Sequence, residues 1–377
     1  MTVSPWDTME GWRRMRVRRQ PLSRSPPFVV PVFRMRIGVL TGGGDCPGLN
    51  HAIRGLVLRA GQLGHDVVGF RDGWKGVLEA DMVPLGRGDV DGLHDVGGTM
   101  LGTSRTNVFK MERGPERIKA SLEDLGVDAL VGIGGEDTLG VLHKLSELGV
   151  PAVGCPKTID NDLDATDFTI GFDTSINIAT EAIDRLHTTA RSHHRCLVIE
   201  IMGRHAGWLT WYSGIAGGAH AILLPEEPID LDRLLAVVRE RAGPDGRGYS
   251  IVVVSEGAKL EEGAEILQDP SLDAFGHVKL GGIGKRLAKL IEERTGVESR
   301  TVVLGHIQRG GPPSALDRVL STQFGWYAAE LVDRGDFGKM PAAKSGRIEI
   351  VTLSEAVGRL KVVDPERIRV SNGLWWA

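Results

Sequence analysis

The sequence predicts an α/β protein whose parallel sheets are covered on both faces by helices, and three observations lead there. Short apolar runs bounded by glycine alternate with stretches of helical period. The chain has 377 residues, 41% hydrophobic and 25% charged, enough for two such units around a large core. Its polar clusters follow directly on apolar runs, where ligands bind in parallel sheets. An all-apolar strand is what a parallel sheet requires, because neither of its faces meets water.

Residues 1–34 stand apart from this pattern. They hold seven arginines against Asp7 and Glu10, and five of the 18 prolines, so they bury too little apolar surface to fold and read as a disordered basic extension. They carry a net +5, and with −4 overall the remaining body of residues 35–377 is acidic at −9. Translation from Met35 would leave the extension out. Phe28 to Phe33 spans six residues and contains Pro31, too short for a signal-peptide core, and no run of eighteen apolar residues follows. No membrane partner is therefore expected. A nucleic-acid partner is excluded by the acidic balance and the lack of basic residues interleaved with aromatics. Cys46, Cys155 and Cys196 are widely spaced, with neither a CxxC pair nor an HExxH motif, so neither a disulfide framework nor a zinc site is indicated. A reducing cytoplasm is the expected location.

From Met35 the elements follow in order. Ile37 to Thr41 reads as a buried strand, then a glycine-rich turn, then a helix from Leu49 to Leu63. Further buried strands are expected at Ala129 to Ile133, Ala152 to Cys155, Cys196 to Ile201, Ala221 to Leu224, Ser250 to Val254 and Thr301 to Leu304. Amphipathic helices lie between them, among them Ile176 to Thr189 and Leu231 to Arg241.

The first polar cluster is Thr41-Gly42-Gly43-Gly44-Asp45-Cys46-Pro47-Gly48-Leu49-Asn50. Missing Cβ atoms let backbone N–H groups approach phosphate oxygens ahead of a helix, and the same glycines also suit a tight turn without a ligand. Gly281-Gly282-Ile283-Gly284-Lys285 lacks the Ser or Thr of a Walker loop, since Arg286 stands there, and reads as the start of a helix. The second cluster, Gly134-Gly135-Glu136-Asp137-Thr138, ends a strand and opens a helix, so its acids either serve a ligand or satisfy the helix dipole.

The third is Pro156-Lys157-Thr158-Ile159-Asp160-Asn161-Asp162. An ammonium, a hydroxyl and two carboxylates together are what phosphoryl transfer needs: one carboxylate to accept a proton from an attacking alcohol, one to help hold Mg²⁺, a cation to offset the moving charge. The bland alternative is an Asx-rich loop. Met202-Gly203-Arg204-His205-Ala206-Gly207-Trp208 and Arg300 through Leu304-Gly305-His306-Ile307-Gln308-Arg309-Gly310-Gly311 bring arginines to strand ends. Arg195, Arg204, Arg300 and Arg309 with His306 suit a phosphate and sugar hydroxyls, or are ordinary surface cations when taken singly. His194 and His205 read as packing or surface residues.

From Met35 to about Arg359 the chain resembles the phosphofructokinase family, on five ordered motifs: GGGDCPGLN, GGTMLGTSR, GGEDT, PKTIDND with MGRHAGW, and RTVVLGHIQRGG. The resemblance implies two Rossmann-like three-layer α/β/α domains of mostly parallel sheets, with the active site in the interdomain cleft. A donor-binding domain is expected over residues 35–171 and about 308–355, and a sugar-phosphate-binding domain over residues 172–307 and about 356–377. Position by position, it makes Asp160 the base that takes a proton from the sugar 1-hydroxyl. Lys157 and Thr158 lie beside it, Thr158 near the acceptor. Asp162 is placed at Mg²⁺, and Glu136 where many relatives have a metal-linked aspartate one methylene shorter. Gly43, Arg105, Asp137 and Thr138 fall at the donor phosphates. Met202, Gly203, Arg204, Glu256, His306 and Arg309 fall where the family holds fructose 6-phosphate. Arg195 and Arg300 match arginines lent by a neighbouring subunit, which implies a homo-oligomer, dimer or tetramer.

Donor identity turns on Asp137 and Lys157. The resemblance makes these pyrophosphate-type residues, because members that use ATP resemble Gly-Gly-Asp-Gly and Pro-Gly-Thr-Ile-Asp there. A carboxylate at 137 fills and charges the space that a nucleotide α-phosphate would need. Pyrophosphate is thus the expected donor and ATP the alternative. A non-catalytic sugar-phosphate sensor would lack the base or the metal carboxylate, and Asp160 and Asp162 are both present. A nucleotide-cofactor or lipid kinase would explain the second cluster alone. Of an effector pocket the chain keeps Arg54, but Leu58 and His220 stand where an arginine and a glutamate are expected, so control by a phosphorylated effector is not expected.

Overall fold

A computed structural model describes residues 34–104, 106–260, 267–272 and 278–375. The expected basic extension therefore falls, Arg34 apart, outside the described residues, as do Arg105 and Trp376.

In chain order, β1 (Arg36–Thr41), β2 (Asp66–Phe70), β3 (Met82–Leu85), β4 (Ala129–Gly134) and β5 (Ala152–Pro156) build one sheet. A second sheet takes β6 (Cys196–Ile201), β7 (Ala221–Leu223) and β8 (Ser250–Ser255). After an antiparallel pair, β9 (Leu267–Leu272) and β10 (Val278–Leu280), it is completed by β11 (Ser299–Val303). The chain then returns to the first sheet as β12 (Lys339–Lys344) and β13 (Arg347–Thr352). The first sheet runs β13-β12-β5-β4-β1-β2-β3, with antiparallel pairs only at its two edges. The second runs β11-β6-β8-β7 and is parallel throughout. This is the mostly parallel α/β class expected from the sequence.

The apolar central strands are buried from end to end: β4, β6 and β8 have no exposed residue. One acid sits among them. Glu200 of β6 is 3% exposed and accepts the Gly282 and Gly284 N–H groups at 3.1 and 2.9 Å. Its carboxylate thus supplies the anion that the helix Ile283–Thr295 attracts at its start, and the glycines there need no phosphate.

Some elements differ from expectation. The helix expected at Ile176 to Thr189 spans Phe172–His193, because buried Asp317 caps its start by accepting Gly171 N–H at 2.9 Å and Thr174 N–H at 2.8 Å. β2, β3, β12 and β13 were not foreseen. They are short or mixed in polarity: β3 and β13 are edge strands that pair only with their chain neighbours β2 and β12, and these join the sheet through β1 and β5. Among the described residues no helix is long and apolar enough to cross a membrane.

Candidate active site

β1 and β4 end side by side, and the pairing continues one step further as Gly42 N–H donates to the Ile133 carbonyl at 3.0 Å. The glycine turn that follows is packed from two sides. A Cβ on Gly42 would come within 2.4 Å of Thr138 Oγ1, and one on Gly44 within 2.3 Å of an Arg309 guanidinium nitrogen. Buried Thr138 leaves no room for a side chain at Gly42, whereas at Gly44 only the flexible end of Arg309 stands in the way, so the bare backbone is a packing requirement at the first position. Thr138 is 2% exposed and fills the space behind Gly42 and Gly134. The Gly43 carbonyl accepts Thr103 Oγ1 at 2.6 Å, which joins the GGTMLGTSR segment to this turn.

Lys157 leaves β5 beneath the same turn. Its backbone N–H donates to the Gly134 carbonyl at 2.9 Å, its side chain is buried, and Nζ donates to the Gly44 carbonyl at 2.5 Å. Burial holds the ammonium below its usual pKa, a trend opposed by Asp45 and Asp160. One carbonyl uses one of its three N–H donors.

Asp160 follows Ile159, its N–H donating to Thr158 Oγ1 at 3.2 Å. Burial raises its pKa, against the pull of Arg309, Arg204, His205 and Lys157. Its Oδ1 is a buried acceptor with no partner among the described residues. Asn161 then turns the chain at φ 53°, a left-handed conformation that asparagine tolerates. Its amide donates to the Asp167 carbonyl at 3.0 Å and accepts Thr169 Oγ1 at 3.3 Å, so the turn is pinned. Asp162 is pushed up to about 7, first by burial, then by Asp160 and also by Glu136. Glu136 is exposed at the first position of the helix Glu136–Glu147, with half-buried Asp137 next.

The second sheet brings its own loops to the same place. Gly203, after β6, sits at φ 136°, where a Cβ would meet Ser255 Oγ at 2.7 Å. Its carbonyl accepts Ser255 Oγ at 2.8 Å and Gly257 N–H at 3.1 Å, locking the Met202-Gly203-Arg204 turn onto the end of β8. Glu256, in that junction, is pushed up to about 7 by burial and then by Asp160, while Arg204 pulls the other way. Asp160, Arg204 and Glu256 are therefore neighbours although they come from different sheets. Arg309 ends the turn Gly305–Arg309, lies over Gly44 and donates to the Asp45 carbonyl at 3.2 Å. It therefore reaches the glycine turn as well as the neighbourhood of Asp160. Met202 and Arg204 are half-buried and His306 is exposed.

Arg195 and Arg300 lie elsewhere. Arg195 precedes β6 and Met202 follows it, so at ~3.3 Å per residue they are roughly 23 Å apart. Arg300 occupies the matching end of β11, and both arginines pair with Glu298, at 2.8 and 2.5 Å. Within one chain, the four arginines grouped by sequence are split between opposite ends of the sheet. His220, set against the effector reading, is buried and accepts Ile251 N–H at 2.8 Å, and burial drives it down to about 3.

Among the described residues no three His, Cys, Asp or Glu side chains cluster tightly enough to cage a metal. Mg²⁺ does not need such a cage, since it keeps several waters and shares one or two carboxylates with substrate phosphates. The unpartnered Asp160 oxygen and the repulsion of Asp162 by Asp160 and Glu136 fit a bound dication. Sequence reasoning missed Asn161, Thr169 and Asp317 as supports. Only the asparagine between two aspartates carried a local signal, as a residue suited to a tight turn.

A family model described as phosphofructokinase matches residues 36–332. The chain is 58% identical over 334 residues to the pyrophosphate--fructose 6-phosphate 1-phosphotransferase of Streptomyces coelicolor, covering 88% of this chain and 97% of that protein. It is 52% identical to ATP-dependent 6-phosphofructokinase 3 of the same organism, covering 88% and 98%. A solved structure of Pichia pastoris phosphofructokinase in the T-state matches at a TM-score of 0.76 and 30% identity, over 90% of this chain and 36% of that one. The chain thus spans about a third of the length of that structure's chain.

Proposed function

Because this chain belongs to the phosphofructokinase family, we propose that it transfers a phosphoryl group from pyrophosphate to the 1-hydroxyl of fructose 6-phosphate, giving fructose 1,6-bisphosphate and phosphate. The observation that carries the reading is the buried Lys157 ammonium against the glycine turn, in the same electrostatic neighbourhood as the unpartnered Asp160 carboxylate.

Asp160 accepts the hydroxyl proton as the alcohol attacks. Arg204 and Arg309 stabilise its carboxylate and oppose the rise in pKa that burial causes. Thr158 steadies the acceptor beside it, and Met202, Gly203, Arg204, Glu256, His306 and Arg309 form the sugar side. Gly43, Arg105, Asp137 and Thr138 form or support the donor side, and Lys157 balances charge on the transferred group. Asp162, with Glu136 through water, would hold Mg²⁺, which when bound neutralises charge on the donor oxygens. Arg195 and Arg300, too far along their strands to serve their own Asp160, serve the 6-phosphate of a neighbouring copy in a homo-oligomer. The donor side is assigned to residues 35–171 with 308–355, and the sugar side to 172–307 with 356–377. Both reaction directions are open, as pyrophosphate and the sugar ester have similar transfer potentials.

Asp137 supports pyrophosphate over ATP. Two unit charges ~4 Å apart at an effective dielectric of ~20 interact by roughly 4 kcal/mol, and each ~1.4 kcal/mol is about tenfold in affinity. After discounting for water and Mg²⁺, on the order of a hundredfold remains against a nucleotide. The second reading, ATP as donor, is favoured by the 52% identical relative of that name. Initial rates with pyrophosphate and with ATP, at matched Mg²⁺ and fructose 6-phosphate, decide between them. Faster turnover of pyrophosphate is expected, and faster turnover of ATP overturns the donor assignment.

A further inference from the structure

Residues 360–363 touch both halves of the site. On one edge, Leu360 bridges antiparallel to Leu163, and the Lys361 N–H donates to the Asp162 carbonyl at 2.8 Å. The Lys361 ammonium donates to the carbonyls of Thr166 and Asp167 at 2.7 and 3.0 Å. One residue thereby holds three carbonyls of the turn that carries Asp162. On the other edge, Trp208 Nε1 donates to the Lys361 carbonyl at 2.9 Å, and the ammonium lies 5.5 Å from that ring's centroid. Glu226 accepts from Gly207 N–H at 2.8 Å and from Val363 N–H at 2.9 Å. Gly207 and Trp208 end the motif that begins at Met202.

The 166–167 end of the turn is also tied to β12, since Asp167 N–H donates to the Ala343 carbonyl at 2.7 Å. The Asp162 end has its outside support from Leu360 and Lys361. A carboxylate displaced by about 1 Å is enough to lower a transfer rate on the order of a hundredfold, so such support matters for chemistry.

We propose that residues 360–363 form a crosspiece that fixes the Asp160–Asp162 turn relative to the Met202–Trp208 motif, with Lys361 as the positioning residue for the Asp162 carboxylate. The proposal rests on the phosphoryl-transfer reading, which gives Asp162 its task.

K361M keeps the backbone bonds to Asp162 and to the Trp208 indole but removes the ammonium. Its kcat falls roughly tenfold or more, the Mg²⁺ concentration for half-maximal rate rises, and KM for fructose 6-phosphate stays within about twofold of wild type. K361R, whose fork can reach both carbonyls, recovers most of the rate. Two readouts need no turnover: calorimetric Mg²⁺ affinity, which weakens in K361M, and amide exchange over residues 160–164, which quickens. Wild-type kcat and Mg²⁺ dependence in K361M would overturn the proposal. So would a parallel fall in kcat, sugar-phosphate affinity and Tm, which marks general structural support. A wild-type protein that turns over neither donor refutes the phosphoryl-transfer reading instead, and the calorimetric and exchange results then judge the positioning by themselves.

Discussion

At the carboxyl end of the first sheet, Lys157 is buried on the Gly44 carbonyl, Asn161 is pinned by two side-chain bonds, and Asp160 sits half-buried with one oxygen unpartnered. The polar side chains of the second sheet are arranged otherwise. Arg204 and His306 stand at its carboxyl end, while Arg195 and Arg300 lie at its amino end, paired with Glu298. Proton transfer and donor selection depend on shifted pKa values and low local dielectric, which demand burial and preset geometry. Capturing a sugar phosphate needs accessible guanidinium forks, and these can be shared between chains. On the proposed function, the site pairs a buried half with an open half that a neighbouring copy completes.

The sharpest way to break this contrast is D160N. Loss of the base should lower kcat roughly 10³-fold while the dissociation constant for fructose 6-phosphate, measured by calorimetry, changes by less than about threefold. A comparable loss of sugar binding would show that the two halves are not separable. Next comes D137G, which relieves the charge beside the donor. The ratio of kcat/KM for ATP to that for pyrophosphate should rise on the order of a hundredfold, and further with K157G added; an unchanged ratio removes Asp137 from donor choice.

A smaller effect is expected at the open half. R195A should raise KM for fructose 6-phosphate about tenfold, the scale of one lost bond to a charged group. Oligomers assembled from R195A and D160N chains should be more active than either parent, because some sites then combine an intact Asp160 with a neighbour's Arg195. Failure of this complementation would place Arg195 outside the sugar site. The smallest effect concerns the frame. Asp317 is pushed up to about 6 in the fold, chiefly by burial, against 3.8 for an ordinary aspartate. Its raised value means folding favours the protonated form, so this stability is present below pH ~4 and is lost as pH rises through ~6. D317N does not titrate there. The Tm of wild type relative to D317N should therefore fall by on the order of a few degrees between pH 4 and 7, and a flat difference would contradict the shift.

Much of the fold could be read from the chain, because its central strands are buried on both faces and their apolar runs carry their own limits. Cys196–Ile201 and the helix Leu49–Leu63 have the ends that the pattern predicts. The candidate reacting groups are grouped by local order for a similar reason: Lys157, Thr158, Asp160 and Asp162 lie within six residues. The supports are not. Asp317 caps a helix that starts at Phe172, and Lys361 holds a turn that starts near Asp162, each across more than a hundred residues.

Residue order alone therefore determined the βα alternation, the family and the chemical character of the Lys157–Asp162 segment, since each is written in neighbouring residues and in the 3.6- and 2-residue periods of helices and strands. Folding in three dimensions decided that Arg309 lies over Gly44, that Thr138 is packing behind the glycines, that β12 and β13 rejoin the first sheet, and that Arg195 and Arg300 sit at the opposite ends of their strands from Arg204 and Arg309. The cause is the parallel sheet itself. Its strands carry the start and the end of each segment to opposite edges, so residues adjacent in a motif can part by the length of a strand while distant ones meet.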